Sequence, residues 1–317
     1  MAIQTQAKIP VLDFSNENLK PGTASWSSVR EQVCRALEEH GYFVAELGNK
    51  VPLELHDTMF DAVRELFDFP TETKRKVIYE KPYHGYSSIA NLHERMMIDN
   101  ATSPEEIQRV TSIFWPDGND HFRESADSYV RLMKELDQMV TRMLFENYGV
   151  EKYYDPHMDL TTRTLGFLKY KERDIDDDDQ IKTGWSRIEG LPSHADKHFT
   201  SILHQNRVRG LEIKTKDGEW ICFEPSPTSF IFLAAESLQV WSNDRIQACF
   251  HRVMMTENVT RHSLGLFAFN DGTISVPEEL VDEEHPLRYK PLNMINFMKA
   301  QAVHATALSV KTFCGTV

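Results

Sequence analysis

His194 and Asp196 stand one residue apart in the segment LPSHADKHFTSILH. On an extended strand, positions i and i+2 share a face, so an imidazole nitrogen and a carboxylate oxygen can converge on one metal ion. Alone the pair is a weak signal, since most H-x-D pairs are polar surface. His251 adds a second imidazole far downstream, in ACFHRVMM, which reads as a strand. Arg261 and Ser263 repeat the i, i+2 spacing in the next strand, TRHSLGLFAF.

Two imidazoles and one carboxylate occupy one face of a metal and leave its other positions open, the donor set of non-haem Fe(II) oxygenases. An open-sided ferrous ion needs an electron donor to activate dioxygen. A 2-oxo acid can serve, chelating through its 2-oxo group and C1 carboxylate. Its far carboxylate then requires a forked cation, which Arg261 provides, with the Ser263 hydroxyl as a further donor.

HADxxxxTSIL, HRV and RHS together resemble the H-x-D…H…R-x-S signature of the plant 2-oxoglutarate/Fe(II)-dependent dioxygenases. IPVLDF near the start, LQVWSND ahead of HRV, and VDEEHPLRYKP before the last helix are similar to blocks of that family in the same order. The likeness runs from about residue 9 to 310. GYFVAE and the KDGEW hairpin resemble a subgroup containing the glucosinolate side-chain-modifying dioxygenases and deoxypodophyllotoxin synthase. The resemblance implies that His194, Asp196 and His251 bind iron, and that Arg261 and Ser263 hold the distal carboxylate of 2-oxoglutarate. It also implies that Tyr170 helps hold this co-substrate, although Leu168 replaces the Asn usual two residues before that tyrosine. The implied reaction consumes O2 and oxidises a C–H bond of a plant specialised metabolite, with release of succinate and CO2. Hydroxylation, ring closure, desaturation and demethylation are all open outcomes, and ascorbate is expected to support turnover.

The elements that must carry these residues change character along the chain. Val29, Val33 and Leu37 have helical spacing, with nearby Ser residues as N-caps; Leu55, Met59, Val63 and Leu66 repeat it after Pro52. A long amphipathic helix is predicted from Ser125 to Tyr148, ended by Gly149. Residues 79–120 look irregular, with Pro82, Pro104 and Pro116 as breakers. From about residue 161 the period falls to two, and short strands follow, LQVWSN among them. Helices first and regular strands later predict a mainly β fold with flanking helices. With the family likeness, this becomes a double-stranded β-helix (jelly-roll) core behind an N-terminal helical region. The expected division is 1–155, 156–290 for the catalytic core, and 291–317 for a C-terminal helix and tail.

Other polar and aromatic residues have blander readings. His198 on a continued strand shares the face of His194 but lies roughly 13 Å along it, which suits a substrate pocket better than a metal. His204 reads as ordinary surface, and His262 as facing the other side of the sheet from Arg261. Phe267 and Phe269 alternate in phase with Arg261 and Ser263, and wall either a substrate pocket or the barrel core. Tyr83 to Tyr86 and Phe114-Trp115 are further substrate candidates. The run of four Asp residues within 172–180 lacks the Gly of a cation-binding turn and reads as a solvated loop.

The chain has 317 residues and a formal net charge of -13. That charge disfavours nucleic acid and anionic membrane surfaces as partners, and favours a neutral or cationic small molecule over a polyanion. No apolar run is long enough to span a bilayer, the N-terminus lacks the pattern of a secretory signal, and the four cysteines are scattered. A cytoplasmic monomer is expected. Three rival readings remain: an ascorbate-dependent Fe(II) oxidase of the same fold, a metal-dependent hydrolase, and a noncatalytic binding protein. Arg261 and Ser263 count against the first, the purposeless Arg261 against the second, and the intact ligand set against the third.

Overall fold

In a computed structural model the described residues are 8–89, 93–172, 188–255, 258–304 and 308–316. Most of the acidic run lies outside them. The chain opens with a short strand, β1 (Val11–Asp13), and a helix, α1 (Ala24–Glu39). Thr23, rather than one of the serines, caps α1 by accepting from Trp26 N at 3.2 Å. Gly41 ends the turn at φ +84°, where a Cβ would lie 2.5 Å from the Gln247 carbonyl oxygen; only glycine fits. Next come β2 (Tyr42–Glu46), α2 (Leu53–Asp68) and α3 (Thr71–Lys74).

The region read as irregular contains a hairpin, β3 (Gly85–Ile89) and β4 (His93–Ile98), before α4 (Pro104–Phe114). Its strands are short and place polar residues consecutively, Ser87-Ser88 and His93-Glu94-Arg95, so they carry no period-two signal. The long helix α5 (Asp120–Asn147) starts five residues earlier than its periodicity suggests, because Asn119 accepts from Phe122 N at 2.9 Å. Gly149 closes it at φ +68°, as expected. The stripe from Tyr129 through Met133, Leu136, Val140 and Leu144 is fully or nearly fully buried. Each such side chain contributes about 1.5–3 kcal/mol on leaving water.

After α6 (Tyr154–Asp159) the chain is mostly strand: β5 (Thr161–Tyr170), β6 (Ile188–His194), β7 (Thr200–Gln205), β8 (Leu211–Lys214), β9 (Trp220–Cys222), β10 (Ser229–Ala234), β11 (His251–Met255) and β12 (Arg261–Asn270). LQVWSN is not a strand. It lies in a helical segment, α7 (Glu236–Trp241), every residue of which is buried. With no polar face exposed, its pattern has no period to distinguish helix from strand. A small sheet of β13 (Thr273–Ile274) and β14 (Leu292–Asn293) leads to α8 (Met294–Val303) and α9 (Val310–Cys314).

Two sheets face each other, as a jelly-roll core requires. The larger has eight strands in the order β1-β2-β10-β7-β12-β5-β4-β3, the smaller four in the order β6-β11-β8-β9. Only β1 and β2 pair in parallel among the described strands. Both early strand pairs, β1-β2 and β3-β4, therefore extend the larger sheet at its two ends. Its outer face packs on α1, α2, α4 and α5 in the main core. Its inner face looks toward the smaller sheet, and the site lies between the two.

Candidate active site

Strand β6 ends at His194, and Asp196 sits in the turn that follows it. The expected strand does not continue through Asp196, yet the two side chains still converge: His194 Nε2 is 3.6 Å from Asp196 Oδ1. His251 opens β11, pairs directly with His194 across the small sheet, and brings its Nε2 to 3.9 Å from Asp196 Oδ2. The ligand atoms of these three residues lie within 4.8 Å of one another.

The imidazole tautomers follow from second contacts. His194 Nδ1 lies 2.8 Å from the Pro192 carbonyl oxygen, and His251 Nδ1 lies 3.2 Å from that of Cys249. A carbonyl only accepts, so each Nδ1 carries the proton and each Nε2 lone pair faces inward. Two imidazoles, one carboxylate and no thiolate form a donor set that suits ferrous iron.

Electrostatics agree with that grouping. Burial alone would raise the Asp196 carboxyl, but the neighbouring His198, His251 and His194 hold it well below its usual range. Burial lowers His251 to about 4, so it is neutral near pH 7. For His194, burial pulls down and Asp196 pulls up, with a net rise. Asp196 Oδ2 also accepts from Ser201 Oγ at 2.5 Å, and His198 Nε2 is 2.6 Å from the same hydroxyl.

His198 thus corrects the expectation of a residue some 13 Å away. Because the chain turns after His194, His198 folds back to 3.6 Å from Asp196 Oδ2. Its ring also lies 5.0 Å from that of Phe267 and 5.1 Å from that of Phe269.

Arg261 and Ser263 start β12, next to β5, where Arg261 is in register with Tyr170 and Ser263 with Leu168. Arg261 is 2% exposed. Its guanidinium bonds the Gln205 side-chain oxygen, reaches Ser263 Oγ at 3.4 Å and lies 5.0 Å over the Tyr170 ring. The Nε is a buried donor with no hydrogen-bond partner among the described residues. Gly210 makes room for this side chain, since a Cβ there would come within 2.9 Å of Arg261 Cδ. On Tyr170, the His93 ring stacks at 4.6 Å and 10°.

Phe267 and Phe269 are buried on the same face, with Met294 and Met298 of α8 against them. A Cβ on Gly166 would come 2.6 Å from the Phe267 ring, and one on Gly265 3.0 Å, so the paired glycines seat that ring. Other readings need correction. His204 is not surface but fully buried, packed on Phe230 at 4.1 Å on the helical side of the sheet. Strand alternation from Arg261 would have placed it there, because it pairs with Leu264. Phe114 and Trp115 pack on Phe69 and Phe122, also on the helical side. Gln205, Ser201, His93 and Arg95 were missed. The first two were available by extending the alternation of β7, and the last two required recognition of β4.

Comparison with known proteins bears on the whole chain. A model of the 2OG-Fe(II) oxygenase superfamily matches residues 141–270, and one described as non-haem dioxygenase in morphine synthesis N-terminal matches 9–112. The Arabidopsis thaliana protein named "Probable 2-oxoglutarate-dependent dioxygenase AOP1.2" is 40% identical over 294 residues, covering 92% of this chain and 90% of its own. The crystal structure of a rice dioxygenase for auxin oxidation superposes with TM-score 0.78 at 25% identity, over 98% of this chain and all (100%) of its own. A 2-oxoglutarate complex of the Arabidopsis thaliana dioxygenase for auxin oxidation 1 shares the fold, with TM-score 0.75 at 24% identity over 88% of this chain and 100% of its own.

Proposed function

The chain belongs to the 2OG-Fe(II) oxygenase superfamily, a dioxygenase that takes Fe(II) and 2-oxoglutarate, and from that premise we propose the role of each residue at its site. His194, Asp196 and His251 hold the ferrous ion. Arg261, helped by Ser263 and Tyr170, takes the distal carboxylate of 2-oxoglutarate. When bound, the iron supplies the redox chemistry by which 2-oxoglutarate is decarboxylated to succinate and dioxygen is turned against a substrate C–H bond.

The chain's own groups do the positioning. Pro192 and Cys249 carbonyls fix the two imidazoles with Nε2 inward. Ser201 bonds Asp196 Oδ2 and limits rotation of its carboxylate. Gln205 and Tyr170 hold the Arg261 guanidinium in one plane, ready for a two-pronged contact with a carboxylate. Phe267, Phe269, Met294 and Met298 make the adjoining wall apolar, which keeps water from the reacting bond and suits an apolar substrate body. No described helix is long and apolar enough to cross a membrane, and the free cysteines suit a reducing cytoplasm. Plant specialised metabolism is the setting that the relatives support.

The observation that carries this reading is the convergence of two inward Nε2 lone pairs and a carboxylate, with a buried, unneutralised guanidinium on the same inner face. Equilibrium dialysis with Fe(II) tests it. His194→Ala and Asp196→Ala should each lose stoichiometric iron and 2-oxoglutarate-dependent succinate release while keeping the wild-type circular dichroism spectrum. Wild-type iron binding in both variants would refute the ligand assignment.

A further inference from the structure

Strand β4 turns His93, Arg95 and Met97 to the inner face of the large sheet, in register with the residues proposed to bind the co-substrate. His93 is opposite Tyr170, which is opposite Arg261; Arg95 is opposite Leu168, which is opposite Ser263; Met97 is opposite Gly166, which is opposite Gly265. Directly opposed residues on neighbouring strands stand about 5 Å apart at Cβ, so Arg95 begins two strands from Ser263, on the same inner face.

Arg95 is mostly buried, and burial lowers its pKa, yet a guanidinium stays charged. It has no carboxylate partner among the described residues. Its Nε donates to Ser87 Oγ at 2.6 Å, and its guanidinium lies 5.6 Å over the Tyr83 ring. Those two contacts hold the stem, and no hydrogen bond from the terminal fork is found among the described residues. Two neighbouring basic groups are accounted for. Lys81 pairs with Asp99 at 3.2 Å. Burial lowers His93 to about 4, so it is neutral near pH 7. With co-substrate in place, the distal carboxylate answers Arg261. One positive charge is left over, that of Arg95.

The leftover charge stands beside an apolar surface. Met97, two residues along β4, joins the cluster of Phe267, Phe269, Met294 and Met298. Building on the oxygenase reading above, we infer that Arg95 selects the substrate: an apolar-bodied small molecule with one carboxylate, whose head takes the Arg95 fork while its body lies along Met97, Phe267 and Phe269. This reverses the expectation from net charge, which pointed to a neutral or cationic ligand. A local, mostly buried cation without a carboxylate partner among the described residues outweighs a surface average that salt screens.

Affinity capture tests the assignment without requiring turnover. Wild type, Arg95→Gln and Arg95→Lys, each loaded with Fe(II) and 2-oxoglutarate and kept free of O2, are equilibrated with a leaf metabolite extract. A second portion of the same extract is methyl-esterified first. Small molecules retained with the protein on ultrafiltration are identified by mass. Wild type should retain monocarboxylic acids from the first portion and not their esters from the second. Arg95→Gln should retain the same acids at least tenfold less, and Arg95→Lys should keep part of the binding.

Equal retention by Arg95→Gln, retention of uncharged compounds instead, failure of wild type to retain any acid, or a loss confined to 2-oxoglutarate would each overturn the inference. Admitting O2 then separates the two readings. A retained acid that is never oxidised sinks the oxygenase assignment and leaves Arg95 standing; an oxidised neutral compound does the reverse.

Discussion

Replacing Arg261 by Gln tests the co-substrate end of the site in two independent ways. The guanidinium is 2% exposed and meets a carboxamide oxygen, a hydroxyl and an aromatic face, none of which carries a negative charge at neutral pH. At about 4 Å and an effective dielectric of about 20, a carboxylate arriving there gains roughly 4 kcal/mol. Gln keeps one neutral donor worth about 1 kcal/mol. The net loss is about 3 kcal/mol, a rise of roughly 100- to 200-fold in the KM for 2-oxoglutarate. Succinate formation against 2-oxoglutarate concentration measures it.

The second readout has the opposite sign. Without ligand, Arg261 is a buried cation lacking a counter-charge, which costs stability. Arg261→Gln should therefore leave the Tm of the free protein level or higher. It should also abolish the thermal shift caused by 2-oxoglutarate, which in wild type approaches about 2.7 kcal/mol of stabilisation at a hundred times Kd. A KM within about fivefold of wild type, or a variant whose Tm falls while its 2-oxoglutarate shift persists, would show that Arg261 is a structural residue.

Two further perturbations probe the scaffold. Asp137 on α5 accepts from Arg163 Nε at 2.9 Å, from Arg163 Nη2 at 2.7 Å and from Thr200 Oγ1 at 2.6 Å, all buried, and so ties the helix to β5 and β7. Asp137→Asn strands the Arg163 charge and should cost about 3–5 kcal/mol. Urea denaturation followed by circular dichroism checks this, and a loss below about 1 kcal/mol would contradict the assigned network. Burial, with His56 second, lowers the buried His204 to about 3, whereas an unfolded histidine titrates near 6.5. The unfolded chain therefore binds the extra proton first, and stability held above about pH 6.5 drains away as pH falls toward 3. For His204 this amounts to about 2 kcal/mol at pH 5. His204→Phe should shrink the difference in urea midpoint between pH 7.5 and pH 5, and an unchanged difference would refute the assignment.

Legibility in the sequence followed how local each constraint was. His194, Asp196, His251, Arg261 and Ser263 were readable as a set because each short spacing is fixed by backbone geometry and the chemistry demands all five. The reason offered for His194 and Asp196 was nevertheless only half right. They meet because β6 stops and the chain turns, and that turn also returns His198 to the carboxylate. The buried helix α7 was opaque because a segment enclosed on all sides has no amphipathic period. Strands β3 and β4 were opaque because one of their faces is polar by design of the site: His93 and Arg95 occupy positions where a core strand would carry valine or leucine. His204 was misread through its residue type, although the alternation that placed Phe267 would have placed it too.

The wall formed by Met294 and Met298 has a consequence for how the molecule is made. Lys197 Nζ donates to the Leu308 carbonyl at 3.2 Å, Glu236 accepts from Val310 N at 3.4 Å, and Cys314 is buried beyond them. All these late residues leave the ribosome after every strand of both sheets has been translated. A nascent chain can thus assemble its barrel and gather the three proposed ligands while one side of the chamber is still missing. Competence to shield a reactive oxidant arrives only when translation of this segment is complete.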